Sequence, residues 1–282
     1  MSTHINRHWE EGKAKHLELS EQTASDYDNS YANANFSTGL YMDYELKVID
    51  KAISLLNVSK QGIALDLGCG TGRDSFHINK KNCFSKIIGY DFSQEMITIA
   101  KRNKNKLNIN NIDFIQKDID TENLNNIEDE SIDFINSGFG MGSFISNIET
   151  LLTDINRTLI PKGIFTMSFY NSKSLLNEFP NLDWTPSLSA KIDPQKKSLH
   201  VTFNDYEFDI SAHSYSINDI RKIMNKYFYI EEISSFPTLS SILPNSILKN
   251  SRIKKIVKLV DYELRYNNVY GGHYINVICR KK

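Results

Sequence analysis

Three glycines at alternate positions, Gly68-Cys69-Gly70-Thr71-Gly72, lie between Asp66 and Arg73. No other segment of the chain is as well suited to holding a charged small molecule. Glycines let a backbone turn sharply and let a ligand approach the peptide groups. The free N–H groups of a helix that opens after such a turn favour an anionic group such as a carboxylate. The spacing argues against a dinucleotide, whose loop needs a third small residue at its sixth position. Here the third glycine is Gly72, at the fifth, and the bulky Arg73 follows. A P-loop is also ruled out, because no Gly-Lys-Ser/Thr follows. Two carboxylates, Asp91 and Asp118, come next along the chain, each able to accept two hydrogen bonds at once. His213 and Tyr215 are the candidates for acceptor-side proton chemistry, since histidine is the side chain most easily tuned near neutral pH. The plainer reading of His213 is a strand-end residue with a satisfied hydrogen bond. No HExxH or paired Cys/His spacing points to a metal.

These residues need elements to position them. From Gly62, short apolar runs alternate with amphipathic stretches, the pattern of βαβ units around a parallel sheet. Strands are expected at Gly62–Leu67, Ser85–Asp91, Ile112–Gln116, Ile132–Ser137 and Gly163–Tyr170. Helices are expected at Arg73–Lys80, Ser93–Arg102 and Ile145–Leu159, the last stopped by Pro161 and Gly163. The glycine loop then follows the first strand, Asp91 ends the second and Asp118 follows the third. Residues 1–60 read mainly as helices, with a polar break near Ser25–Phe36 that holds Tyr27 and Tyr31. Asn171–Lys197, with Pro180, Pro186 and Pro194, reads as loop. A hairpin follows, with alternating apolar residues on both sides of Asn204-Asp205. Ser216 and Asp219 make a capping box for a helix. Two further strands, near Phe228–Ile233 and His273–Cys279, flank a helical stretch around residues 253–264. Four segments result: 1–60 helical, 61–170 the ligand-binding core, 171–214 an inserted lid, and 215–282 the rest of the core with a helical insertion.

The bulk numbers set bounds. A chain of 282 residues, 40% hydrophobic and 11% aromatic, suffices for one α/β domain with an inserted cap. Its 33 basic and 34 acidic residues give a net charge of −1, which offers no overall positive surface for nucleic acid. Three scattered cysteines form no disulfide framework. With no apolar leader or apolar run long enough to span a bilayer, a cytoplasmic location is expected. The stretch Lys249–Lys258, with Arg280–Lys282, reads either as a solvated helix face or as a basic patch for an acidic acceptor or a membrane surface.

The glycine segment, Ala64-Leu65-Asp66-Leu67-Gly68-Cys69-Gly70-Thr71-Gly72-Arg73, resembles motif I of the class I S-adenosylmethionine-dependent methyltransferases, and the likeness extends over Ala64–Tyr170. The resemblance implies a Rossmann-like, doubly wound, mostly parallel seven-stranded sheet whose last strand is antiparallel. It implies S-adenosylmethionine as cofactor, S-adenosylhomocysteine as product, and a loop at Asp66, Gly68, Cys69, Gly70 and Gly72 that cradles it. It also implies that Asp91 takes both ribose hydroxyls, that Asp118 faces the adenine amino group, and that Phe92, Met96 and Ile119 form apolar walls. By the same resemblance Ser137 begins a loop expected to line the methyl-transfer centre, and Tyr27 and Tyr31 belong to a segment expected to close over the cofactor; Arg73, in the first turn, reads either as a partner of the cofactor carboxylate or as a solvent-facing arginine. The loop Asn136-Ser137-Gly138-Phe139 lacks the [D/N]PP[Y/F] of many methyltransferases acting on nucleic-acid bases and protein side chains. A lid over the carboxyl edge of the sheet, with Trp184, Phe203, Tyr206 and Phe208, favours a small acceptor. Methylation of nucleic acid or protein, and cofactor binding without methyl transfer, are the alternatives.

Overall fold

The computed structural model describes residues 2–56, 61–178, 190–203, 206–266 and 271–282. Helices α1 (Ser2–Thr23), α2 (Tyr27–Ala34) and α3 (Phe36–Ser54) precede the sheet. The expected polar break therefore holds a helix of its own. The chain is extended only at Asn35, whose side chain caps α3 by accepting the Thr38 N–H at 2.8 Å. Then follow β1 (Gly62–Leu67), α4 (Arg73–Asn79), β2 (Phe84–Asp91), α5 (Gln94–Lys106), β3 (Ile112–Gln116), β4 (Ile132–Ser137), α6 (Ile148–Thr158) and β5 (Leu159–Tyr170). The fifth strand starts earlier than expected. Pairing with β4 skips from Leu159 to Ile164, so Pro161 and Gly163 sit in a bulge inside the strand.

The stretch read as loop contains α7 (Leu175–Glu178) and a strand, β6 (Ala190–Asp193). β6 joins the expected hairpin, β7 (Ser198–Phe203) and β8 (Tyr206–Ser211), in a separate three-stranded antiparallel sheet. Pro180, Trp184, Pro186 and the Asn204-Asp205 turn lie outside the described residues. The chain ends with α8 (Ile217–Met224), β9 (Phe228–Phe236), α9 (Leu239–Ile242), α10 (Ser251–Leu264) and β10 (Tyr274–Lys281). The Ser216/Asp219 capping box is present at α8.

The main sheet has seven strands in the order β3-β2-β1-β4-β5-β10-β9. All pairings are parallel except those of β10, which runs antiparallel to both neighbours. Both faces are covered, so neighbouring residues on one strand enter different cores. Ala64, Phe134 and Ile164 pack with α3, α4 and α5, whereas Leu65, Ile135 and Phe165 pack with α6 and α8. A strand buried on two sides reads as a continuous apolar run, which is why these strands stood out. Among the described residues no helix is long and apolar enough to cross a membrane.

Helix α1 lies against the inserted sheet. A Cβ on Gly12 would come within 2.1 Å of the Ser211 Oγ, so only glycine permits this approach. Trp9 of α1 stacks on His213, with ring centroids 4.6 Å apart.

Candidate cofactor and acceptor site

A cavity with about 1420 Å³ of atom-free space, its mouth included, opens over the carboxyl ends of β1, β2 and β4. Its floor is the glycine loop, Asp91, Phe92, Met96 and the segment Asp118–Asp120. Its roof comes from α1 through Lys13 and His16, from α2 through Tyr27 and Tyr31, and from the inserted sheet through Leu199, Val201 and Ile210.

The loop geometry follows from the sequence. Gly70 has a φ of +51°, and a Cβ there would meet nothing within 4 Å, so the backbone faces open cavity. Gly72 has a φ of +92° and serves a different end. It packs against Phe76 and Phe114 where α4 starts, and does not line the cavity. Asp91 Oδ2 accepts the Gly70 N–H at 2.9 Å and Oδ1 accepts the Ser93 N–H at 3.0 Å. Burial lifts its carboxyl to about 6, against the pull of those backbone donors.

These groups suit an adenosyl sulfonium. An open, glycine-faced cradle stands beside a strand-end carboxylate that lines the cavity, and Phe92, Met96 and Ile119 add apolar wall. The residues fit the group.

Several residues expected at the site are engaged elsewhere. Asp66 is 1% exposed and accepts Ser75 Oγ at 2.6 Å and Asn136 Nδ2 at 2.8 Å, so it braces the loop from beneath. Burial and the neighbouring Asp74 push its carboxyl up to about 7. Ser137 is buried beside it and does not line the cavity. Arg73 does reach the wall, but its Nε donates to Asp74 at 2.7 Å and its Nη2 to Glu45 at 2.8 Å, so protein carboxylates already satisfy it. His213 and Tyr215 do not line the cavity. His213 is stacked on Trp9, and Tyr215 sets its ring edge-on to Phe169 at 5.2 Å on the other core face. Phe208 packs into the core rather than facing the cavity.

Other residues complete the site. His16 sits between Phe92 and Phe144, with ring centroids 5.1 and 4.4 Å away. Burial, then the nearby Lys13, lower its pKa to about 4, so it is neutral at physiological pH. Asp28 accepts the Thr71 Oγ1 at 2.6 Å and ties α2 to the glycine loop. Phe139 is the hub of an aromatic group. Its ring lies 5.7 Å from Tyr31, 5.8 Å from Tyr41 and 6.0 Å from Tyr274. Its φ of +50° is unusual for an aromatic residue, and its N–H donates to buried Glu45. A signal for Glu45 existed in the sequence. Tyr41, Tyr44, Val48, Ile49 and Ala52 recur at helical spacing, and Glu45 falls on that apolar stripe.

Lys13 ties the roof to the floor. Its Nζ is 2.7 Å from Asp118 Oδ2 and 3.0 Å from Asp120 Oδ2. Burial opposes its charge, but hydrogen bonds and charge from both carboxylates hold its pKa above the ordinary lysine range. Lys13→Ala is expected to loosen α1 and speed release of S-adenosylhomocysteine about fivefold, the kinetic equivalent of ~1 kcal/mol for a partly buried pair. Stopped-flow displacement measures this, and high salt is expected to accelerate release from the unaltered protein in the same direction. An unchanged release rate in the variant means the pair does not hold the roof.

Comparison with known proteins adds to this geometry. The family described as "Methyltransferase domain" matches residues 59–226. A yeast (Saccharomyces cerevisiae) protein named "Probable S-adenosylmethionine-dependent methyltransferase CRG1" is 25% identical, over 73% of this chain and 69% of its own length. The demethylmenaquinone methyltransferase of Oceanobacillus iheyensis is 31% identical, over 55% of this chain and 72% of its own. Shorter matches include a 23S rRNA (uracil(1939)-C(5))-methyltransferase of Francisella tularensis. Among solved structures, an S-adenosylmethionine-dependent methyltransferase from Clostridium acetobutylicum superposes with a TM-score of 0.55 at 16% identity, over 86% of this chain and 92% of that one.

Proposed function

Since this chain belongs to the methyltransferase-domain family and is an S-adenosylmethionine-dependent methyltransferase, we propose that its acceptor is a small, largely apolar molecule held under the α1–α2 roof. The observation that carries this is the roofing of the cavity. Leu199, Val201 and Ile210 of the inserted sheet, with Tyr27 and Tyr31 of α2, stand above the glycine loop. An acceptor must fit beneath them, which favours a metabolite over a duplex or a folded protein.

The lining chemistry agrees. The cationic groups in the wall are paired, Arg73 with Glu45 and Asp74, Lys13 with Asp118 and Asp120, and Lys117 more distantly with Glu122 at 3.7 Å. A strongly anionic acceptor would find no unpaired cation among the three. Tyr27, Tyr31, Phe139, Tyr170 and Tyr274 offer ring faces and edges. Burial raises the phenol pKa values of Tyr27, Tyr31, Tyr170 and Tyr274, so they stay protonated as hydrogen-bond donors.

S-adenosylmethionine supplies an activated methyl group when bound. In this reading Asp91 orients the ribose, and the backbone at Gly68–Gly70 receives the amino-acid end. Phe139 and its neighbouring rings fix the acceptor in line and exclude water. Positioning of this kind lowers a barrier by ~7–11 kcal/mol.

Incubating cell extract with methyl-labelled cofactor tests the acceptor class. Label is expected in the low-molecular-mass fraction, in a product one methyl group heavier than its precursor. Label retained in RNA or protein would move the assignment to a macromolecular acceptor.

A further inference from the structure

Helix α10, inserted between β9 and β10, concentrates positive charge that the fold does not neutralise. Lys249, Arg252, Lys254, Lys255 and Lys258 fall within ten residues of a chain with a net charge of −1. Among the described residues, none of the five forms an ion pair; Lys254 lies 5.4 Å from the Phe36 ring centroid. Large aliphatic side chains stand among these cations. Ile256 is 61% exposed and Leu259 68% exposed, and with Arg252 and Lys255 they share one face at helical spacing. Ile247, 43% exposed, lies on the turn that leads into the helix. Glu263 is an acid at the far end of the same face, and Asp43 stands across the adjoining groove.

The opposite face is fastened down. Val257 is buried, and the buried Asp261 carboxylate accepts the backbone N–H groups of Thr238, Leu239 and Ser240. The exposed face is therefore held rigidly outward. Beside it runs a groove with Phe36, Leu46 and Leu248 in its wall and Lys249, Lys254 and Lys258 along one side.

We infer that this face of α10 docks on an anionic phospholipid surface. Lysine and arginine near such a surface are attracted by its negative potential, while exposed aliphatic residues insert at the boundary of headgroups and acyl chains. Phosphates of nucleic acid would use the cations but leave Ile247, Ile256 and Leu259 without a role, and this favours lipid. The inference is independent of the acceptor assignment, since α10 does not contribute to the walls of the cofactor cavity.

Co-sedimentation of the full chain tests it, with vesicles of equimolar phosphatidylglycerol and phosphatidylcholine set against vesicles of phosphatidylcholine alone. Binding is expected to the first at low salt and not to the second. Arg252→Glu with Lys255→Glu is expected to weaken partition by at least about tenfold, from the attraction each cation contributes near such a surface. Ile256→Ser with Leu259→Ser is expected to weaken it further as salt rises and screening removes the charge term. All four positions are exposed, so thermal midpoint and cofactor affinity are expected to stay unchanged in both variants. Equal binding to the two vesicle types overturns the inference. So does tighter binding to an RNA oligonucleotide that the serine variant leaves intact.

Discussion

Asp91→Ala is expected to weaken S-adenosylmethionine binding by about 100-fold or more while the chain stays folded. The carboxylate is 8% exposed and lines the cavity, with its two oxygens already set by the N–H groups of Gly70 and Ser93. Two hydrogen bonds from a ribose to an ionised acceptor are worth ~1.5–3 kcal/mol each, so losing both gives at least that factor. The variant also leaves two backbone donors without their partner, which costs about 1–3 kcal/mol of stability for each donor that water cannot reach. Asp91→Asn keeps the shape, removes the charge and turns one acceptor into a donor. It is expected to bind the cofactor nearly as poorly with a smaller loss of stability. Calorimetric titration and a thermal melt read the two effects separately. A folded Asp91→Ala protein with unaltered affinity would place the ribose elsewhere.

The same carboxylate sets a pH dependence. Burial holds its pKa near 6, above the ordinary aspartate value. Cofactor affinity is therefore expected to fall as pH drops from about 7 to 5, because protonation takes away an acceptor. The effect on the ligand-free fold has the opposite sign. A raised carboxyl pKa means that ionisation costs the folded state, so this group's contribution to stability declines as pH rises between roughly 4 and 6. Asp91→Asn is expected to flatten both trends at this position.

Sequence legibility followed how local the determining physics is. The glycine loop, the acid at the end of β2 and the strands buried on two faces, β1 and β4, depend on a few neighbouring residues, and their expected bounds match the structure closely. The capping box at Ser216 is equally local. β6 was missed because it has four residues, lies in a proline-containing stretch, and is defined by pairing with β7. His213 draws attention by its chemical type and its place just after the hairpin. What decides its environment is Trp9, some two hundred residues earlier, which covers its ring. Lys13 and His16 lie on α1, whose role depends on folding back over Asp118 and Phe92, a long-range contact that periodicity does not report.

Glu45 shows what such long-range placement does to the site, and its removal is expected to damage both stability and turnover. It is 3% exposed on α3, and its two oxygens serve different elements. One accepts the Phe139 N–H in the loop after β4; the other accepts Arg73 at the start of α4, at 2.8 Å. From Arg73 the network runs to Asp74, then through Asn136 to Asp66. Phe139 holds a left-handed backbone conformation that costs on the order of 1–3 kcal/mol and persists only when its surroundings enforce it. Glu45→Ala leaves Arg73 with Asp74 alone and strands the Phe139 N–H. Breaking a buried pair this way costs about 3–5 kcal/mol, a fall of roughly 10 °C in the unfolding midpoint. Freed of its acceptor, the loop is expected to relax and the Phe139 ring to leave the cavity wall. Turnover of the labelled acceptor should then drop at least about tenfold, measured well below the new midpoint, while cofactor affinity changes little because Asp91 and Gly70 remain in place. Glu45→Gln keeps an acceptor for the Phe139 N–H and is expected to recover most of the turnover, though not all of the stability, since the charge facing Arg73 is gone. That split between turnover and stability separates positioning from simple scaffolding. If Glu45→Ala loses stability yet turns over at the normal rate when folded, Phe139 does not depend on Glu45 for its placement.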